Sequence, residues 1–549
     1  MSVSSPAPLA AGYLLRNFRQ VAQWVNHLYA DLLTTAEQDC FAQFHRMPNP
    51  AQSLYLRLVT RTRPVVPVAS LHYDEIPDTD AALRALLDSG FAVLNPPLEP
   101  STLLALQTRS DLQTWFGNAG KTAEKKSALT ESIQAQFTAE QIHNMITTQQ
   151  PLVMALQRDW FELVLLLFFG NGRQDLSEFV ITELGHVRYE NYRVDRSTRY
   201  FSCRGDIETL QAYLLAREQL EDPDVLQDSQ LLQDLFAQLP HHRQQPELQR
   251  RFDKLAVTIA RQLERLDALD AALHIYRATE LHPSGERQAR ILAKQDQLDE
   301  ALSLCHQLQH SPHPEAQEFA EQFSAQLLRK RRQPVIKPAA PDIITNEMLL
   351  PPQDMAVEYL AAAALTRDES PCYYVENTLF CGLFGLLFWD IIFAPVPGAF
   401  FHPFQHSPKH LRSEYFYADR ADAIEQRLHD MEHTGWQSRL WDIWSSRQGI
   451  ANPFVVWEVL TADLLERALA AIPVAHLQCI FRQLAKHPGL YSNGFPDLIH
   501  FVDDGYQLIE VKAPNDRLQP NQRRWFRRFA DAGIPARLLN IRWQETNDD

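Results

Sequence analysis

The sequence predicts a multidomain chain: mostly α N-terminal and TPR-like helical regions, followed by an α/β domain with a mixed sheet. Three observations predict it. Apolar residues recur at helical spacing from Tyr13 to Leu94 and again from 245 to 330. An internal echo runs through the second of these stretches. Near the end, two short apolar runs flank an Asp-Asp-Gly turn and are followed by a basic amphipathic helix and a closing strand.

In order along the chain, residues 12–59 read as helices, and short-helix patterning continues from Ala81 to Leu94. Pro100–Leu106, Ser110–Gly117 and Lys121–Ile133 then give a helix, a glycine-containing turn and a further helix preceded by Lys121, Lys125 and Lys126. This pattern looks like a SAP-type DNA-binding hairpin, and a plain αα-hairpin fits it equally. In the later helical stretch Leu269-Asp-Ala-Ala-Leu273 returns as Leu298-Asp-Glu-Ala-Leu302, and Glu280–Pro283 as Leu308–Pro312. The interval falls short of the roughly 34 residues of a standard TPR, yet the pattern is TPR-like and suits a scaffold. Arg331–Pro352 is proline-rich and polar, a linker. Met355–Leu365 is helical, Leu379–Phe393 is strongly apolar, Asn521–Ala530 is a basic amphipathic helix and Ala536–Trp543 a strand. The expected division is 1–80 (helical N-terminal region), 81–145 (SAP-like), 146–240 (helical linker region), 241–335 (TPR-like repeats) and 345–549 (the α/β domain, with its core at about 475–545).

Composition narrows the function. The formal net charge of −16 excludes a generally basic nucleic-acid coat, so any DNA contact must use local patches. Two basic runs offer them: Arg517, Arg523, Arg524, Arg527 and Arg528, and Arg329–Arg332. The 6 cysteines form no C-x-x-C pair, which argues for free thiols in a reducing compartment and against a zinc or iron–sulfur framework. No secretory signal is evident at the N-terminus. Leu379–Phe393 is too short for a membrane span and carries Asp390, so a buried helix is expected. His402, His406 and His410 recur every fourth residue, but Pro403 and Pro408 interrupt any helix that could align them as ligands.

The chemistry-bearing stretch is Gly494-Phe-Pro-Asp497-Leu-Ile-His-Phe-Val-Asp-Asp-Gly505-Tyr-Gln-Leu-Ile-Glu510-Val-Lys512. Side chains alternate along a strand, so Glu510 and Lys512 share a face and Val511 points away. A turn at Asp503-Asp504 sets Asp497 opposite Glu510; a turn at Asp504-Gly505 sets it opposite Lys512. Both registers keep Asp497, Glu510 and Lys512 on one face, and only a bulge would separate them. Two carboxylates and the Val511 carbonyl make a hard oxygen site suited to Mg²⁺ or Mn²⁺ rather than Zn²⁺. Beside them Lys512 can orient water or stabilise the transition state. Metal-dependent nucleases cut phosphodiesters with this arrangement. Glu376, just ahead of the apolar helix, is a further carboxylate, or a simple cap.

Phe495-Pro-Asp-Leu-Ile, Ile509-Glu-Val-Lys-Ala-Pro-Asn-Asp-Arg-Leu518, Gln522 and Trp525 resemble the Fanconi-anaemia-associated nuclease family, whose catalytic module is the VRR-NUC branch of the PD-(D/E)xK nucleases. Glu376 with Leu383–Phe393 is similar to the segment supplying that family's additional acid, and Val357-Glu358 to a further acidic position. Phe168–Asn171, Gln174–Phe179 and Leu184-Gly185 share the likeness. Ala513 stands where glycine is common in the family, which removes no ligand. The family's order, a DNA-binding region with a SAP element, a TPR-like region and then the nuclease, is the order read here. The resemblance implies a structure-selective nuclease that cleaves 5′ flaps and degrades DNA from 5′ ends in interstrand-crosslink repair. It would act inside the cell at the chromosome, on branched or flapped duplex DNA, with protein partners at the TPR-like region. Carried over by residue, Glu376, Asp497, Glu510 and the Val511 carbonyl hold Mg²⁺ or Mn²⁺, Lys512 is catalytic and Glu358 is a further acid. Lys121, Lys125, Lys126, Arg523 and Arg527 are the expected DNA contacts. Two rival readings are a junction resolvase or other end-processing nuclease, and a DNA-binding helical scaffold with an inactive nuclease fold.

Overall fold

The computed structural model describes residues 12–117, 125–172, 174, 176, 187–241, 245–335, 343–503 and 505–544. Lys121, Asp504, Leu184-Gly185 and most of Gln174–Phe179 lie outside them. The chain divides into two compact units, 1–186 and 187–549, and the boundary falls inside the segment 146–240.

In the first unit the helices Tyr13–Tyr29, Thr35–Arg46 and Asn49–Val59 form where helical periodicity predicts them. Thr34 and Glu37 close a capping box at the second, satisfying backbone N–H groups that would otherwise be orphaned. Their apolar faces converge on Phe18, Phe44, Tyr55, Phe91, Trp160 and Phe161, with ring centroids such as Phe44–Trp160 at 5.6 Å. Residues 100–149 hold four short helices, Pro100–Leu106, Arg109–Phe116, Lys126–Gln136 and Ala139–Gln149. They close over their own core of Leu103, Leu112, Leu129, Ile133 and Ile146. A two-helix hairpin was too small an expectation for this segment.

A three-stranded sheet was not foreseen. Strands β1 (Val65–Pro67), β2 (Ala92–Leu94) and β3 (Leu152–Ala155) pair antiparallel in the order β1-β3-β2. Ala92–Leu94 reads as short-helix pattern and 146–240 as a helical linker region. Strands this short show no period-2 signal, and only pairing across distant sequence makes them.

In the second unit the sequence echo is also a backbone echo. Asp267 and Asp296 both take left-handed conformations (φ 60° and 61°) immediately before the helices Leu269–Tyr276 and Leu298–Leu308. Lys294 pairs with Asp267 at 2.6 Å and Lys330 with Asp296 at 3.0 Å, equivalent bridges between successive repeats. Arg331 pairs with Asp299, so much of the Arg329–Arg332 run serves these helix ends.

The α/β part of this unit is built on a five-stranded mixed sheet in the order β4-β8-β7-β6-β5: β4 (Ile344–Leu350), β5 (Cys372–Tyr374), β6 (Leu498–Val502), β7 (Gly505–Lys512) and β8 (Ala536–Trp543). β8 runs parallel to both β4 and β7, while β6 is antiparallel to β7 and β5. β4 lies within the segment read as linker. It is an edge strand exposed over most of its length, so it carries no alternating pattern, and its partner lies far downstream. One sheet face packs Ile509, Val511, Leu498 and Leu539 against the helix Val357–Leu365. The other packs Leu508, Ile499 and Phe501 in the larger core, with Trp525 and Phe529 from the helix Pro520–Ala532. Leu379–Leu387 is buried throughout, as its composition predicts. Its Gly382 lies so close to Leu460 that an added Cβ would come within 2.3 Å of the leucine methyl. Among the described residues no single helix is long and apolar enough to cross a membrane.

Candidate active site

The hairpin adopts the first of the two registers. Val502 pairs with Gly505 and Leu498 with Ile509, so Asp497 falls opposite Glu510 by continuation of the ladder. The Val375 N–H donates to the Asp497 carbonyl at 2.8 Å, which brings the β5 turn alongside. The Val511 N–H donates to Asp497 Oδ2 at 2.8 Å and fixes the carboxylate over β7. Glu510 is 1% exposed, Asp497 7% and Lys512 8%. Lys512 Nζ stands 2.8 Å from Glu510 Oε1.

Gln522, on the helix Pro520–Ala532, joins the group from above. Its Nε2 donates to Glu510 Oε1 at 2.5 Å, and its Oε1 accepts from Lys512 Nζ at 3.1 Å and from the Gln519 N–H at 2.9 Å. Trp525, one turn on, holds that helix in place. It stacks on Phe495 at 4.2 Å and donates from Nε1 to the Asn493 carbonyl at 3.2 Å.

Glu376 lies in the turn after β5. Tyr374 Oη donates to its Oε2 at 2.7 Å and Asn377 Nδ2 to its Oε1 at 3.0 Å. Asn377 has a positive φ of 54°, and its Oδ1 accepts from the Phe495 N–H at 3.1 Å. The turn carrying Glu376 is thereby tied to the strand carrying Asp497. Glu358, in the first turn of Val357–Leu365, acts electrostatically on Asp497, as does Glu376. Burial, followed by these like charges, pushes the Asp497 carboxyl well above the usual range. Burial and then Asp497 do the same to Glu510, with Lys512 opposing both.

Four acids around one lysine leave a negative surplus. Glu510 Oε2 is a buried oxygen with no hydrogen-bond partner. An orphaned carboxylate oxygen beside further hard oxygen donors fits a divalent cation. Among the described residues no three His, Cys, Asp or Glu side chains are drawn into a closed ligand cage. Glu510 is instead held by Lys512 and Gln522, and Glu376 by Tyr374 and Asn377.

The other expected residues are placed as follows. Arg523 and Arg527 are exposed on the helix beside the site, while Arg524 points inward to Glu318 at 2.8 Å. Lys125 occupies the N-cap position of the helix Lys126–Gln136 without a side-chain capping bond, and Lys126 Nζ donates to the Ala105 carbonyl at 2.8 Å. His402 and His410 are buried, His410 Nε2 lying 2.8 Å from Arg420 and 3.3 Å from Asp419 Oδ2. Sequence reasoning gave no role to Tyr374 or Asn377, and quoted Gln522 only as part of a family pattern. Asn377 adjoins Glu376, but no spacing rule ties Gln522 to a strand across a loop.

Strand–turn–strand acids with a lysine on a mixed sheet define a PD-(D/E)xK nuclease. A VRR-NUC domain model matches residues 431–543, and a model described as FAN1, HTH domain matches 12–93, a stretch read from sequence only as helices. The chain is 33% identical to the Fanconi-associated nuclease 1 homolog of Pseudomonas aeruginosa, covering 99% of this chain and 98% of that protein. It is 24% identical to the homolog of Arabidopsis thaliana, over 96% of this chain and 66% of that protein. A crystal structure of paFAN1 bound to 2-nucleotide 5′-flap DNA with a gap superposes with a TM-score of 0.83 at 32% identity, covering 99% of this chain and 100% of that one. A second, with a 1-nucleotide flap, gives 0.81. The chain belongs to the Fanconi-associated nuclease 1 family. It is a nuclease, a hydrolase acting on DNA, with divalent-metal-dependent chemistry.

Proposed function

We propose that this nuclease cleaves 5′ flaps and degrades DNA from 5′ ends by phosphodiester hydrolysis, at the chromosome, in interstrand-crosslink repair. The observation that carries this reading is the buried face joining Asp497, Glu510 and Lys512, with Glu376 tied to it through Asn377. The flap-bound relatives of the same fold support the choice of substrate.

Asp497, Glu510, Glu376 and the Val511 carbonyl would hold Mg²⁺ or Mn²⁺, with Glu358 a further acid. Bound there, the cation supplies a lowered water pKa and positive charge for the phosphoryl oxygens. The chain's own part is orientation and charge. Lys512, held by Glu510 and Gln522, presents an ammonium where negative charge develops. Gln522 fixes the Glu510 and Lys512 rotamers together. Exposed Arg523 and Arg527 hold the strand by its phosphates. Lys125 and Lys126, with Lys121 nearby in sequence, grip a duplex arm, and the TPR-like helices receive protein partners.

Cleavage of a labelled 5′ flap with and without Mg²⁺ tests the proposal. Metal-dependent incision by the wild type that is lost in Lys512→Ala, with DNA binding retained, is expected. Near-normal cutting by that variant removes Lys512 from the mechanism.

A further inference from the structure

Beside the acids two tyrosine rings lie in contact, and only one of them belongs to the core. Tyr374, the last residue of β5, stands opposite Leu498 in the ladder, and Leu498 follows Asp497 in the chain. The Tyr374 side chain packs against the core of Ile509, Val511 and Leu498. Its hydroxyl donates to Glu376 Oε2 at 2.7 Å, and Glu376 and Asp497 both act on it electrostatically. Tyr359 follows Glu358 in the helix Val357–Leu365. Its ring centroid lies 4.9 Å from that of Tyr374, with the planes inclined by 41°. A continuous path therefore leads from the Glu376 carboxylate through the Tyr374 ring to the Tyr359 ring.

Tyr359 departs from the packing of its own helix. Leu360 and Ala361, the next two residues, are buried against the sheet, whereas Tyr359 is 51% exposed. A lone exposed apolar side chain needs no explanation. This one rests on a second ring that is itself bonded to a carboxylate of the candidate metal site.

Charge limits what the rings can hold. Glu358, Glu376, Asp497 and Glu510 make this surface negative, so without a cation it repels the phosphates of a DNA strand. A nucleobase is neutral and stacks on an aromatic face. Every base has such a face, so stacking holds a strand without reading its sequence. Within continuous duplex both faces of a base are covered by its neighbours, while at a flap junction a face is uncovered. An aromatic contact beside the metal site thus favours an unpaired nucleotide over a paired one.

We propose that Tyr359, backed by Tyr374, is a stacking site for an unpaired nucleobase of the flap strand beside the scissile phosphate. The assignment rests on the flap-cleaving reading above and adds to it a means of telling unpaired from paired nucleotides.

The test uses the full chain in chelator, with 5′-flap DNA carrying 2-aminopurine singly at each position around the junction. The fluorescence of that base falls when it stacks. Tyr359→Leu keeps apolar cover and loses the π-face; Tyr359→Phe and Tyr359→Trp keep a ring. At one position the wild type and both ring variants should quench the probe, and Tyr359→Leu should leave it bright. Tyr359→Leu should bind the flap about tenfold more weakly, and Tyr359→Trp more tightly than the wild type. The slope of log affinity against log salt should be the same in all four proteins, because stacking releases no counterions. Fully paired duplex should bind all four equally. With Mg²⁺, Tyr359→Leu should raise KM more than it lowers kcat. Equal quenching and flap affinity in a folded Tyr359→Leu would overturn the proposal. So would an equal loss of affinity for paired duplex, which would make Tyr359 a structural support of the site. Should Tyr359→Leu not fold, Tyr359→Trp decides: quenching and flap affinity no greater than the wild type's would overturn the proposal. Failure of the flap-cleaving reading registers separately, as a wild type that leaves the flap uncut in Mg²⁺.

Discussion

Asp497→Asn in the metal-free protein isolates the electrostatic cost of the site. Asparagine keeps an oxygen for the Val511 N–H, and the Lys512–Glu510 pair is untouched. What it removes is a buried negative charge facing Glu376 and Glu358. The Asp497 carboxyl is raised from 3.8 to about 7. Its folded value stands above its unfolded one, so the stability it contributes is full below about pH 4 and is lost as pH rises through neutrality. At about 1.4 kcal/mol per unit, the penalty at pH 8 approaches about 4 kcal/mol. Glu510 titrates with it, so the penalty belongs to the pair and the substitution recovers only a share of it. Denaturant melts in chelator at pH 4 and pH 8 should show the variant more stable than wild type at pH 8 and nearly equal at pH 4. Added Mg²⁺ or Mn²⁺ should raise the wild-type melting temperature and leave the variant's unmoved, and flap cleavage should vanish. A variant less stable than wild type at pH 8, or one that still cleaves, would refute the reasoning.

Glu376→Gln keeps an acceptor for Tyr374, so its melting should shift by no more than about 1 kcal/mol while cleavage falls by orders of magnitude; a melting curve beside a nuclease assay reads both. Loss of stability with activity intact would make Glu376 only a structural turn residue. Arg523→Ala with Arg527→Ala, both exposed, should lower kcat more than affinity; an effect on affinity alone would assign them to general duplex binding. Arg524→Met breaks a half-buried pair and leaves the partly exposed Glu318 without its guanidinium, so unfolding should become easier by about 1–2 kcal/mol in urea melts; a change under about 0.5 kcal/mol would place that pair among the dispensable ones.

Much of the site was legible because it is local. Asp497, Glu510 and Lys512 lie on two strands joined by a tight turn, and strand alternation puts them on one face whichever register the turn selects. The turn itself left the register open, and the ladder from Val502–Gly505 to Leu498–Ile509 settled it. The apolar helix Leu379–Leu387 was equally plain, since a segment apolar all round must be buried.

What sequence alone determined was therefore the periodic and the contiguous: the long helices, the echo of Leu269–Leu273 in Leu298–Leu302, and the acid–acid–lysine face. Tertiary structure alone decided the rest. β1, β2 and β3 exist only through pairings between distant residues, and β4 became a strand because β8 lies beside it. Gln522 entered the site because Trp525 stacks on Phe495 and brings its helix over β7. Glu376 entered because Asn377 ties its turn to the Asp497 strand. Local propensity is a property of neighbours in sequence. A hydrogen bond between segments separated by a hundred residues depends on chain closure, which no window of sequence contains.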